Sequence, residues 1–275
     1  MGSEEEARTR WRFAAASVAG TSHEATGTPC QDATACTVVG DLFGQEVFLA
    51  VAADGAGSAS HSELGSHAAC DAVLDAVREH FRSGGDAAGF GRTAASAALR
   101  AARHRIDRIA AEAGLPTREF ACTLVAAIVG TIAAAFFQVG DGVIVVSARD
   151  DADSFSWVFW PSRGEYANTT SFVTDPDAED RMMFDTAQGA IDEVAVLTDG
   201  LQALVLDYRK QTAHAPYFRQ MMAPLSARDD AGEIPDLSAA LAEYLGSPRV
   251  NERTDDDKTL VLAVRRKSPA AEKVK

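Results

Sequence analysis

The feature that most constrains the fold of this chain is an apolar run ending in Asp-Gly, which occurs three times. The copies are Val51-Ala52-Ala53-Asp54-Gly55, Gln138-Val139-Gly140-Asp141-Gly142 and Val196-Leu197-Thr198-Asp199-Gly200. Taken singly, each Asp-Gly is typical of a turn, and Asp141-Gly142 in particular has the pattern of a hairpin turn. Taken together, several buried strands that each end in Asp predict carboxylates gathered at one end of a sheet structure.

Two further acidic sites lie beside predicted strands. Asp32 precedes a strand that starts near Thr34, and the run Asp255-Asp256-Asp257 precedes the last strand of the chain. Carboxylates crowded together in a low-dielectric setting repel one another, so such a cluster holds either protons or cations. Mg²⁺ and Mn²⁺ suit oxygen ligands, whereas zinc prefers His or Cys partners that this cluster lacks.

The apolar periodicity predicts an α+β protein. A loop is expected over residues 20–29, and residues 161–190 are expected to form a mobile surface region with a short strand near 171–174. Because strand follows strand at hairpin distance and the helices come in pairs, the sheets should be mainly antiparallel. Strands are predicted at 11–19, 34–39, 47–53, 121–129, 131–139, 143–148, 155–160, 191–198 and 259–264, and helices at 62–82, 92–113, 201–208, 217–225 and 237–245.

One stretch has to be weighed as a membrane span. The twenty residues from Phe120 to Val139 contain no charged side chain, which is the length of a transmembrane helix. Gly130 lies at the middle as a turn residue would, Thr and Gln residues interrupt the run, and no basic cluster flanks its end. Two buried strands are the favoured interpretation.

Composition limits the partners and the compartment. The chain has 275 residues, is 47% apolar and carries a formal net charge of −14, so neither a nucleic-acid nor an anionic-membrane partner is expected. Four cysteines without a C-x-x-C pair, and no signal peptide, predict reduced thiols in a cytoplasmic protein. Without repeats or a linker, residues 9–266 are expected to form a single domain between charged tails at 1–8 and 267–275.

The acidic motifs, in their order along the chain, resemble those of the metal-dependent Ser/Thr protein phosphatases, the PPM or type 2C family. Residues 164–168 are also similar to a bacterial branch of that family, in which a variable flap precedes the last metal-binding Asp-Gly. The matching segments are Gln31-Asp32-Ala33, Asp54-Gly55-Ala56-Gly57, Gly140-Asp141-Gly142, Thr198-Asp199-Gly200-Leu201 and Asp256-Asp257-Lys258-Thr259.

This resemblance implies a four-layer α-β-β-α sandwich, in which two antiparallel sheets are flanked by helix pairs, with a two-metal centre at one end. Asp54 would bridge two Mn²⁺ or Mg²⁺ ions and the Gly55 carbonyl would bind one of them. Asp199 and Asp256 would hold the first ion, and Asp32 would hold or orient the second through water. In many relatives the Asp matching Asp141 helps the Asp matching Asp199 to bind a weaker third ion.

The implied activity is hydrolysis of phosphoserine and phosphothreonine by a water that bridges the two ions. The ions would neutralise charge on the phosphoryl oxygens as the alkoxide leaves. The expected substrate is a phosphorylated protein, with the enzyme opposing a Ser/Thr kinase.

The chain departs from the family pattern at the phosphate contact. Relatives place an Arg a few residues before the first acidic motif, where this chain has Thr26-Gly27-Thr28-Pro29-Cys30. His23 is the candidate substitute, against the alternative of an exposed loop histidine. Ala56 stands where some relatives have a proton-donating His, with His61 nearby but out of register, and Asp257 stands where an Asn is often found.

The missing Arg leaves a second function open, a catalytically silent phosphatase-like module that binds a phosphorylated signalling partner. A third, an unrelated Ca²⁺-binding domain, is disfavoured because the sequence lacks the D-x-[DN]-x-[DN]-G loop.

Overall fold

The computed structural model of the protein describes residues 11–151, 154–161 and 170–265. Most strands are rich in Val, Ala, Ile and Phe, residues that suit a sheet buried on both faces. Within these residues the strands are β1 (Trp11–Val18), β2 (Ala33–Gly40), β3 (Glu46–Ala53), β4 (Leu124–Val129), β5 (Ala133–Val139), β6 (Val143–Ala148), β7 (Ser156–Trp157), β8 (Met183–Gln188), β9 (Ile191–Leu197), β10 (Leu206–Asp207), β11 (Thr212–Ala213), β12 (Gly232–Glu233) and β13 (Lys258–Arg265).

The strands form two main sheets that pack face to face. One has six strands in the order β12-β1-β13-β9-β6-β7, the other has five in the order β2-β3-β4-β5-β8, and β10 pairs with β11. All neighbours are antiparallel except β1 and β12. The apolar layer between the sheets includes Trp11, Phe48, Val125, Phe136, Val196 and Val261, all at most 2% exposed.

Helices cover the outer face of both sheets. The first long helix buries Ala69, Val73 and Val77, at the four-residue spacing that makes one apolar stripe. The helices are α1 (Thr21–Thr26), α2 (Ser62–Arg82), α3 (Arg92–Ala113), α4 (Ala178–Arg181), α5 (Gln202–Val205), α6 (Ala215–Ser226), α7 (Pro235–Leu245) and α8 (Pro248–Asn251). Because α2 and α3 share a core with the five-stranded sheet, and α6 and α7 with the six-stranded one, the predicted α-β-β-α layering is confirmed.

The uncharged stretch from Phe120 to Val139 forms β4 and β5 after a single 3-10 turn at Thr117–Phe120. The two strands are neighbours in the five-stranded sheet, so the two-strand interpretation is confirmed. Within the described part of the chain, no helix has the length and apolar character needed to cross a membrane.

Several local predictions are wrong. The loop at residues 20–29 contains α1, and the strand expected at 155–160 is only two residues long. Within residues 170–190 there is no strand near 171–174, whereas α4 and β8 form further on. Residues 164–168 of the predicted flap, and both charged tails, lie outside the described residues.

Asp141-Gly142 is not a hairpin turn. It joins β5 to β6, and these strands belong to different sheets. The Asp-Gly pair therefore crosses from one sheet to the other at one end of the sandwich, which a turn pattern alone could not distinguish from a hairpin.

Candidate metal centre

The ends of four strands bring acidic residues to one end of the sandwich. Asp32 precedes β2 and Asp54 follows β3, and these strands pair so that Ala33 is opposite Ala53. Two adjacent strands of the other sheet contribute the next residues, since Asp199 follows β9 and Asp256 precedes β13.

The glycines of two Asp-Gly pairs are required by close backbone contacts. A Cβ on Gly55 would lie 2.7 Å from the carbonyl oxygen of Gln31, and one on Gly200 would lie 2.0 Å from that of Asp257. Neither glycine has a positive φ. These glycines therefore let separate acidic segments pack against one another, rather than forming tight turns.

Asp32 is buried, with 2% of its surface exposed. Its Oδ2 accepts hydrogen bonds from the hydroxyls of Thr198 and Thr259, each at 2.8 Å. Its Oδ1 is also buried and receives no N–H or hydroxyl donor from the described residues. Burial raises the pKa of Asp32 to about 7, although the two threonine hydroxyls oppose the shift.

Asp54 lies among the other carboxyl groups. Its backbone N–H donates to Thr123 Oγ1 at 3.0 Å, and its backbone oxygen accepts from the Thr123 N–H at 2.8 Å. Burial, and then the charges of Asp32, Asp199 and Asp256, raise the pKa of Asp54 to about 11.

Asp199 links this group to the connection between the sheets. Burial, followed by the charges of Asp141 and Asp256, raises the pKa of Asp199 to about 7. Burial also raises the pKa of Asp141, whose Oδ2 accepts a hydrogen bond from Thr170 at 3.1 Å. Asp256 has its pKa raised mainly by burial as well.

Asp257 differs from these residues because N–H groups surround its carboxylate. Its Oδ1 accepts from the Gly20 N–H at 2.6 Å, and Oδ2 accepts from the Gln31 N–H at 2.5 Å. Oδ1 is also 2.9 Å from His23 Nδ1. The His23 ring is therefore held by Asp257, with 20% of its side chain exposed, and only Nε2 is left for a ligand.

The other histidine considered from the sequence is held away from the acidic group. His61 Nδ1 lies 2.8 Å from Ser60 Oγ, which donates to Glu119, and its ring packs on Phe120 at 5.2 Å between centroids.

Burial and mutual repulsion raise the pKa values of Asp32, Asp54 and Asp199, so this group favours either bound protons or bound cations. Among the described residues no three His, Cys, Asp or Glu side chains are arranged as a preformed metal site. The oxygen ligands nevertheless fit a hard divalent ion. Asp32 Oδ1 is buried without a hydrogen-bond donor from the described part of the chain, and the neighbouring groups are all carboxylates. A cation would replace the protons that keep these carboxyls together.

Sequence reasoning did not find the threonines that support the acidic group. Thr198 and Thr259 are 1% and 0% exposed, and the Thr198 hydroxyl also accepts the Thr259 N–H at 3.0 Å. Thr123 was seen only as an interruption of an apolar run. A hydroxyl residue in a strand is too common to be a signal, although Thr198 directly precedes an acidic motif and Thr259 lies two residues after one.

Comparison with known proteins identifies the family. The sequence model described as "Protein phosphatase 2C" matches residues 19–246. The chain belongs to the protein phosphatase 2C family. It is therefore a serine/threonine-protein phosphatase of a metal-dependent family, and its substrates are phosphoproteins.

A curated relative and solved structures agree with that assignment. The chain is 36% identical to serine/threonine-protein phosphatase 3 of Escherichia coli (strain K12) over 257 residues, which is 92% of this chain and 98% of the relative. The crystal structure of the serine/threonine phosphatase Stp1 from Staphylococcus aureus superposes with a TM-score of 0.58 at 15% identity, covering 97% of this chain and all of Stp1. RsbX in complex with magnesium gives a TM-score of 0.53 at 14% identity, covering 92% of this chain and 94% of RsbX.

Proposed function

We propose that this chain hydrolyses phosphoserine and phosphothreonine with two Mn²⁺ or Mg²⁺ ions held at the acidic end of the sandwich. Asp54 would bridge the ions, and the Gly55 carbonyl would bind one of them. Asp199 and Asp256 would hold the first ion, Asp32 would hold or orient the second, and Asp141 with Asp199 would hold a weaker third. The observation that carries this proposal is that Asp32 and Asp54 meet at the same end of the paired strands β2 and β3, with Asp32 Oδ1 buried and without a hydrogen-bond donor among the described residues.

When bound, such ions supply an activated water as nucleophile and neutralise charge on the phosphoryl oxygens. The chain's own residues set the positions of the ligands. Thr198 and Thr259 fix Oδ2 of Asp32, so that Oδ1 is free to face an ion or its water. Thr123 fixes the backbone on both sides of the Asp54 side chain.

We further propose that His23 contacts the substrate phosphate in place of the missing arginine. Asp257 holds Nδ1 of His23, which fixes the ring plane and leaves Nε2 available. The nearby Asp256 is one of the proposed metal ligands, and the charge of His23 acts on its carboxyl. A phosphate bound beside the metal ions would therefore lie within reach of the His23 ring.

The proposal also covers the extent of the domain, the opposing kinase and the cellular location. A single catalytic domain at 9–266 is supported by the pairing of Trp11 with Arg265, which joins the first and last described strands. Opposition to a Ser/Thr kinase follows from the phosphoprotein substrates. A cytoplasmic location is supported by the four free cysteines, Cys30, Cys36, Cys70 and Cys122.

The test is metal-dependent hydrolysis of p-nitrophenyl phosphate by the purified protein. We expect activity with Mn²⁺ that a chelator abolishes, and a loss of about 10³-fold or more in Asp54→Ala and in Asp199→Ala. The matched control is Asp229→Ala, an exposed carboxylate distant in sequence from the acidic motifs. Activity that is indifferent to the chelator and to both substitutions would refute the metal mechanism. Mn²⁺ binding without turnover would instead favour the silent phosphopeptide-binding module.

A further inference from the structure

The solvent-facing side of α3 carries a concentrated positive charge on an acidic protein. An open groove of about 670 Å³ runs along this one helix. Its lining is made up entirely of alanines and basic residues, while the whole chain has a net charge of −14. The lining residues are Ala97, Arg100, Ala101, His104, Arg105 and Arg108.

Within the described chain, one arginine of this surface is unpaired, and the other two are held only by exposed ion pairs. Neither Arg108 nor His104 has an ion pair or hydrogen bond with the described residues. Arg100 pairs with Glu179 at 2.7 Å and Arg105 with Asp75 at 3.1 Å, at side chains that are 34% to 58% exposed. Exposed pairs of this kind contribute at most about 1 kcal/mol, so an incoming carboxylate can compete for the guanidinium groups.

The shape of the groove suits a short extended segment. From Ala97 to Arg108 the helix rises about 16 Å, which corresponds to about five residues of extended chain. The alanines have no atoms beyond Cβ, so a ligand backbone can approach the helix between the arginines. Arginine guanidinium groups bind carboxylates with two parallel hydrogen bonds. A longer polyanion would extend onto the acidic remainder of the surface.

The same helix is connected to the segments that border the acidic centre. Arg103 Nη1 donates to the backbone oxygens of Val173, Thr174 and Asp175. A few residues earlier, Thr170 donates to the Asp141 carboxylate. A polypeptide bound along α3 would therefore lie next to the part of the chain that leads to the catalytic end.

We propose that this face of α3 is a docking surface for a short acidic segment of a phosphoprotein substrate. The proposal builds on the phosphatase activity of the family and adds a determinant of substrate choice outside the metal centre. Binding of the acidic segment requires neither the ions nor a phosphate group, so docking and catalysis can be tested separately.

The first experiment measures binding of fluorescein-labelled hexaglutamate by anisotropy, in chelator and at an ionic strength of about 0.05 M. We expect the double variant R105E/R108E to weaken binding about tenfold. The control R209E/R249E makes the same charge change at exposed arginines of other elements and should retain wild-type affinity. Equal losses in the two variants, or no binding by the wild type, would overturn the proposal.

The second experiment measures KM for one phosphopeptide with and without a hexaglutamate extension. We expect the extension to lower KM for the wild type but not for R105A/R108A, which removes charge without placing a carboxylate beside Asp75. Hydrolysis of p-nitrophenyl phosphate should be unchanged in that variant, which shows that it folds. If the extension lowered KM for R105A/R108A as much as for the wild type, the proposal would be overturned. Tighter binding of a short DNA duplex or of phosphatidylserine vesicles than of hexaglutamate would also overturn it. If the wild type bound hexaglutamate but hydrolysed no phosphopeptide, the metal mechanism would be refuted and the docking proposal would stand.

Discussion

Two buried aspartates at the same end of the sandwich have opposite surroundings. Asp257 receives two backbone N–H groups and the His23 ring, whereas Asp54 faces three other carboxyl groups. A carboxylate that N–H donors satisfy is stable as an anion and acts as a structural tie. A carboxyl that faces other carboxyls needs protons or cations to remain there. The comparison separates aspartates that hold the chain together from those available to bind metal.

The largest expected effect is on stability, which substitution of Asp257 should lower and substitution of Asp54 should not. Asp257→Ala leaves two buried N–H groups without an acceptor and should lower the free energy of unfolding by roughly 3 kcal/mol. Asp54→Asn replaces a crowded carboxyl, whose pKa is raised to about 11, by a neutral amide, and should leave the metal-free protein as stable as the wild type or more stable. Urea unfolding in chelator measures both.

Asp257→Asn is the matched control, because it retains an oxygen acceptor and should lose less stability than Asp257→Ala. Equal destabilisation by Asp54→Asn and Asp257→Ala would contradict the contrast between a carboxylate held by N–H donors and a carboxyl crowded by other carboxyls.

A smaller effect is expected in the pH dependence of the metal-free protein. Asp32 and Asp199, with pKa values raised to about 7, bind protons in the folded state that the unfolded chain releases near pH 4. Their contribution to stability is therefore complete below pH 4 and is lost as the pH rises through 7. In chelator, the Tm should fall by roughly 5 °C between pH 5 and pH 8.

Added Mn²⁺ should remove most of that fall, since the ions replace the protons. A Tm in chelator that stays level from pH 5 to pH 8 would contradict the crowding of these carboxyls.

The smallest effect is expected at His23, which Asp257 holds beside the proposed metal ligands. His23→Gln keeps a polar side chain but loses the ring that Asp257 holds. We expect KM for a phosphopeptide to rise about fivefold while kcat changes less than threefold, as for the loss of a ground-state phosphate contact. A hundredfold fall in kcat at constant KM would instead assign His23 to proton transfer.

Regular periodicity was sufficient to predict the long elements. Both α2 and α3 begin and end at the predicted residues, because the stripe of buried residues on α2 and the helix-terminating Gly114 after α3 are local signals. The strand β8 was missed because its six residues, at the edge of a sheet, are all half-buried or exposed without a regular alternation. An edge strand has little apolar pattern of its own and depends on its one neighbour.

The acidic positions were predicted as a group, and the family resemblance gave each of them a role that stays a prediction. The motif order indicated that Asp32, Asp54 and Asp199 converge. Only the structure identified the N–H donors that surround Asp257 and the hydroxyls of Thr198 and Thr259 on Asp32. Hydrogen bonds between residues more than 150 positions apart have no local sequence signal.

The sequence by itself determined the long helices and most of the buried strands, and that three apolar runs end in Asp-Gly, because side-chain periodicity and backbone preferences act over a few neighbouring residues. Tertiary structure decided which sheet each strand joins and which carboxylates have donors. It also decided that Asp141 crosses between the sheets instead of turning within one. These outcomes depend on long-range packing, which places segments from opposite ends of the chain within hydrogen-bonding distance.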